Sequence, residues 1–91
     1  MTDTTTPTWA FTIKAGLRYE TRIDKYVITV YKRCRPDGSG LYHFRIAEPT
    51  IGTKKPGLYQ IYDSGVDPFY KGNVNPHIVK EQARAKVERM L

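Results

Sequence analysis

Two β-rich runs joined by turn-forming residues constrain this chain more than any other feature. Tyr26–Arg33 (YVITVYKR) and Leu41–Ala47 (LYHFRIA) are dense in β-branched and aromatic side chains, which suit a pleated surface and lose rotamer freedom in a helix. Between them, in RPDGSG (35–40), Pro36 presets φ for a turn while Gly38 and Gly40 admit positive φ. An antiparallel β-hairpin is the consequence.

Two further runs extend it. Leu58–Asp63 (LYQIYD) reads as a third strand after the polar loop EPTIGTKKPG (48–57), and Trp9–Lys14 (WAFTIK), closed by Ala15-Gly16, as a fourth on one edge. Residues 17–25 (LRYETRIDK) alternate more loosely and fit either an extended strand or an irregular connection. Residues 64–75 (SGVDPFYKGNVN) are a loop punctuated by Gly, Asn and Pro.

The period then changes from two to 3.6. Asn75 accepts an orphan N–H as an N-cap and Pro76, lacking that donor, suits the first helical position. Val79, Ala83, Val87 and Met90 form one apolar stripe, with Lys80, Arg84 and Glu88 opposite. That stripe needs a partner, and the sheet is the only one available. The expected fold is α+β: a small antiparallel β-sheet of three to four strands with one C-terminal α-helix packed on one face. Residues 1–8, Thr-rich and almost without apolar side chains, are expected to be a disordered tail, and 9–91 a single domain.

A chain of 91 residues buries roughly 64% of its unfolded surface, so its core is thin and material for a catalytic cavity scarce. The lone cysteine, Cys34, excludes an internal disulfide and any Cys-rich zinc module. With no apolar run long enough to span a bilayer and no basic-then-apolar signal pattern in MTDTTTPTW, the sequence points to a cytoplasmic protein without a membrane partner.

The formal charge of +6 attracts polyanions. It is uneven: residues 14–55 carry ten basic and four acidic side chains, residues 56–91 five and four. Alternation along the strands sorts the side chains between two faces. Tyr42, Phe44 and Ile46, with Tyr26, Ile28 and Val30, suit the face under the helix; on the last strand Tyr59 and Ile61 are expected there too, with Gln60 and Tyr62 outside. The face away from the helix then displays Tyr31, Arg33, His43, Arg45, Gln60 and Tyr62. Guanidinium forks bridge phosphates or the guanine edge, tyrosines stack on bases, and glutamine reads adenine. Lys32, Arg33 and Arg35 at the mouth of the hairpin, and Lys54 and Lys55 in the 48–57 loop, add basic tips able to grip phosphate strands. The bland reading of the same residues is a solvated sheet face carrying Tyr, Thr, Arg and Gln for β-propensity and solubility.

The order strand, strand, strand, helix resembles in outline the small domains that lay three strands into a DNA major groove, such as the arm-binding domains of phage tyrosine integrases. KEQARAKVERML (80–91) stands where their helix follows the sheet. The resemblance implies duplex-DNA binding through the opposite face. Residues 64–75 form a longer connection than that architecture needs.

Catalytic readings lack partners. His43 and His77 have no Cys or carboxylate at ligand spacing, Cys34 between Arg33 and Arg35 has no identifiable base, and Asp63 and Asp67 in DSGVD suit turns better than a cation loop. Gly38-Ser39-Gly40 lacks the Lys-Ser/Thr and following helix of a phosphate loop. No cofactor or metal is assigned and no enzymatic activity is expected. Two function classes stay open: a basic nucleic-acid-binding module, duplex DNA favoured, and an accessory protein of mobile-element type, an adaptor or inhibitor docking its Tyr-rich surface on a protein partner. The partner's surface would be acidic, or its nucleic-acid-binding site would be blocked. A homodimer through sheet edges or through the apolar Met90-Leu91 end is also open.

Overall fold

The computed structural model describes residues 8–12, 18–34, 40–50 and 57–91; residues 1–7 of the proposed N-terminal tail and 35–39 of the expected 26–47 hairpin lie outside them. Five strands run β1 (Ala10–Thr12), β2 (Arg18–Ile23), β3 (Tyr26–Cys34), β4 (Gly40–Pro49) and β5 (Leu58–Asp63), followed by a 3-10 turn at Ser64–Val66 and helix α1 (Pro76–Met90). They form one antiparallel meander in sequence order. The α+β class is as expected, but the sheet has five strands rather than three or four.

The additional strand is β2, from the stretch whose alternation was loose. Tyr19, Thr21 and Ile23 sit opposite Val30, Ile28 and Tyr26 and so share the helix side, while Arg18, Glu20 and Arg22 face the other way. A two-residue turn, Asp24-Lys25, joins β2 to β3, with Asp24 at φ 54°, a left-handed conformation that Asp tolerates better than most residues. Thr21, buried, donates its hydroxyl to the Thr8 carbonyl at 2.6 Å and so ties the incoming chain to β2.

The core is the layer between sheet and helix: Tyr26, Ile28, Val30, Tyr42, Phe44 and Ile46 below, Val79, Ala83 and Val87 above. Ile28, Ile46, Val30, Val79 and Val87 are fully sealed, each worth roughly 1.5–3 kcal/mol of apolar burial. The helix starts where its sequence dictates: Asn75 Oδ1 accepts the His77 N–H at 2.9 Å and Pro76 occupies the first turn. Lys80, expected on the outer face, instead lays its ammonium 3.8 Å from the Tyr19 ring centre and 5.5 Å from that of Trp9. A position one residue after buried Val79 lies on the flank of the stripe, from which a long stem reaches the sheet.

β5 departs from simple alternation. Ile46 pairs with Tyr62 but Ala47 pairs with Gln60, a bulge that leaves Ile61 unmatched. Tyr62 therefore packs on the helix side, 5.3 Å from Phe44 between ring centres, with the Lys86 ammonium 4.3 Å above it. Tyr59 and Ile61, expected in the core, are exposed. Beyond β5 the chain curls over the edge of β4 and closes with two backbone hydrogen bonds between Tyr42 and Asn73.

Candidate nucleic-acid interface

The face away from the helix is organised around Tyr31. The cross-strand register sets Arg18 on β2 and His43 on β4 directly opposite it, with Arg33 two residues along β3. Arg45, on the next row of β4, lays its guanidinium 4.5 Å from the Tyr31 ring centre. Arg45 thus stacks on the phenol ring, and the register places Arg18 and Arg33 on the same face beside it.

A single carboxylate binds that cluster together. Tyr31 donates its hydroxyl to Asp63 Oδ1 at 2.5 Å, Arg45 Nε lies 3.6 Å from Asp63 Oδ2, and the Gly65 N–H donates to Oδ1 at 2.9 Å. Burial, reinforced by the hydrogen bond to Asp63, pushes the Tyr31 phenol up to about 12, so it stays a neutral donor at physiological pH. Arg33 donates from Nη1 to the Gly65 carbonyl at 2.5 Å, which fixes the fork but leaves its charge without a carboxylate. Gly65 leaves room for this contact: a Cβ there would run into the Tyr31 hydroxyl and stand 3.1 Å from Asp63 Oδ1.

His43 shares this face but is covered. The Ser64 hydroxyl, itself sealed, lies 3.2 Å from His43 Nδ1 and accepts the Phe44 N–H at 2.8 Å. The Tyr70 ring closes over His43, centres 5.7 Å apart, and Gly72, at φ 81°, passes so near Nε2 that a Cβ would stand 2.9 Å from it. Burial, then the charge of Arg33, hold the imidazole below its usual titration range. Ser64 and His43 are therefore a clamp that pins the 3-10 turn to β4. A sealed hydroxyl has no access to a substrate and is no nucleophile.

Of the residues singled out in the sequence, Tyr31, Arg33, His43 and Arg45 come together as one cluster. Gln60 lies on the same face, exposed at the β5 edge. Lys32 alternates to the helix side, its ammonium 6.0 Å from the Tyr42 ring centre, and Tyr62 is on that side too, donating to Asp67 Oδ2 at 2.6 Å. Both leave the set. Arg35, Lys54 and Lys55 lie outside the described residues. Asp63 and Asp67, read as turn residues, serve turns: Asp63 caps the 3-10 turn and Asp67 Oδ1 accepts the Phe69 N–H at 2.9 Å.

Sequence reasoning missed Arg18 and Arg22. Their signal was present in the R-E-R half of the 18–23 alternation, which becomes legible once β2 is recognised as a strand. Neither has an ion-pair partner among the described residues, and Arg22 is exposed. Glu20 stands between them on the same face, exposed and without an ion pair among the described residues. Guanidinium groups held by strands and open to water are suited to planar bidentate recognition of phosphate oxygens.

The width of the sheet limits how a duplex can lie on it. Five strands at about 4.8 Å spacing span roughly 19 Å, against a major groove about 12 Å wide. The flat of this sheet is therefore too wide to enter such a groove as three strands do.

Among the described residues no group of three or more His, Cys, Asp or Glu side chains is placed to hold a metal ion, and no helix is long and apolar enough to cross a membrane. No protein-family model, curated protein or solved structure matches the chain.

Proposed function

We propose that this protein is a small non-enzymatic nucleic-acid-binding module of the cytoplasm that grips the phosphate backbone of duplex DNA with the arginine face. The observation that carries the reading is the placing of Arg18, Arg33 and Arg45 about Tyr31 on one face, with Asp63 holding Tyr31 and Arg45, on a chain of net charge +6. Arg18, Arg22 and Arg33 supply the phosphate contacts; Arg45, shared with Asp63, orders the cluster. Substituting Arg18 and Arg22 with alanine tests this, because neither side chain has a hydrogen bond or ion pair in the described structure to lose. The variant should melt like the parent and bind a random-sequence duplex more weakly at every salt concentration; equal affinity would refute the assignment.

A second reading, an adaptor or inhibitor that docks on a protein, is favoured by Phe69. Its side chain is 91% exposed, yet its turn is braced from several sides. Tyr62 holds Asp67, Asp67 holds the Phe69 N–H, the Asp67 carbonyl accepts the Tyr70 N–H at 3.2 Å, and Tyr70 donates to Gln82 on the helix. An exposed aromatic on a rigid turn costs little ordering entropy when a partner covers it.

A further inference from the structure

Most of the exposed large apolar side chains belong to β5 and the chain just after it, with Ile78 and Leu91 further on. Leu58, Tyr59, Ile61, Val66, Phe69 and Val74 come from one stretch of chain, residues 58–74, whereas among the described residues before it only Phe11 is a large exposed hydrophobe. β5 is the last strand of the sheet, and Leu58–Ile61 are exposed along it. No described strand lies outside it, so a row of backbone donors and acceptors points away from β4. Edges of this kind are normally blunted by a lysine, a proline or an inward charge. β5, LYQIYD, has only Asp63, and that carboxylate is occupied by Tyr31 and Arg45.

We infer that β5 and the turn after it are a dimer interface, occupied by a second copy of this chain related by a two-fold axis. Three observations select that occupant. An antiparallel strand edge is complementary to itself under a two-fold rotation, so an isologous contact needs no second surface. Copies carrying +6 repel one another, and least where the surfaces that meet present no unpaired charge. Residues 58–70 meet that condition: they hold no Lys or Arg, and their two carboxylates are bound internally, Asp63 by Tyr31 and Asp67 by Tyr62. The area is also sufficient. Aromatic side chains bury about 150–250 Å² each, so covering Tyr59 and Phe69 on both copies removes about 600 Å². Leu58, Ile61 and Val66 carry the total past the roughly 1,000 Å² that a specific interface needs. The bulge at Ile61 bends β5 and confines backbone pairing to Leu58–Gln60, with side chains making the rest of the contact. The inference stands whether or not the arginine face binds nucleic acid.

The test is sedimentation equilibrium of the full chain from about 1 µM to about 500 µM at low and high salt, since a reversible association is read only against protomer concentration. The expected result is a rise from the 10.5 kDa monomer to twice that mass, undiminished by salt because the contact is apolar. Tyr59→Lys with Ile61→Lys should weaken association about tenfold or more, while Arg22→Glu, three strands away on β2, leaves it unchanged. Should the lysine pair unfold the chain, hydrogen exchange of the parent serves instead: amides of Leu58–Gln60 gain protection with concentration. A parent that stays monomeric throughout, or dimers insensitive to the lysine pair, overturns the inference and leaves the patch to a foreign protein.

Discussion

Gly65→Ala is the most informative single change to the arginine face, because the structure specifies what it breaks. The new Cβ would overlap the Tyr31 hydroxyl and press on Asp63 Oδ1 and Arg33 Cδ, at 3.1 and 3.4 Å. Asp63 is held by the Gly65 N–H and by Arg45, so the Tyr31 hydroxyl is the group that moves. Losing a hydrogen bond to a carboxylate costs about 1.5–3 kcal/mol, and disturbing the Arg45 stacking on the ring adds about 0.5 kcal/mol. Replacing glycine stiffens the unfolded chain and returns about 0.4–1 kcal/mol. The net loss is about 2 kcal/mol, or roughly 8–16 °C in Tm for a domain of this size. The assay is thermal melting by circular dichroism across a double-mutant cycle with Tyr31→Phe. Without the hydroxyl the Cβ has room, so Gly65→Ala should change Tm little in that background, giving a coupling energy of about 2 kcal/mol. An equal Tm drop in both backgrounds, or no drop in either, would refute the placement of Tyr31 on Asp63.

Other expectations follow from the same packing. Ile28→Ala, at a fully sealed position between sheet and helix, should lower the unfolding free energy by about 2–5 kcal/mol in urea titration. Asn75→Ala removes the acceptor of the His77 N–H and should cost about 1 kcal/mol, with the loss confined to stability and absent from DNA affinity. For His43, the imidazole is held below its usual range by burial and by Arg33, so on acidification the unfolded chain takes up the proton first. Stability is then fully present above about pH 6.5 and declines below it until the folded imidazole also titrates. Urea midpoints between pH 7.5 and 5.5 should show that decline, and His43→Gln should flatten it.

Much of the fold was legible because its determinants are local. The β-branched and aromatic density of 26–33 and 41–47, and the Asn75-Pro76 start of the helix, depend on neighbours within a few residues. β2 was obscured because Thr21 fills one of its three core-side positions and because its turn, Asp24-Lys25, has no glycine to announce it. Tyr62 was misplaced for a different reason. A bulge shifts alternation by one residue and sends each following side chain to the other face, and nothing in LYQIYD distinguishes a bulged strand from a regular one. The residues that complete the candidate site, Asp63, Ser64 and Gly65, act on Tyr31, Arg33 and His43 across 21 to 32 positions of chain. Such partners emerge only from the register of β4 against β5.

The central claim, phosphate recognition by the arginine face, is tested most directly by titrating the protein against a fluorescent duplex and the matching single strand between about 50 mM and 200 mM salt. Three arginine–phosphate contacts give a slope of about −2.7 in log K against log salt, an affinity loss of about 40-fold over that range. The Arg18→Ala, Arg22→Ala variant should retain a slope of only about −0.9. Absence of duplex binding even at the lowest salt, or a variant slope equal to that of the parent, would contradict the account.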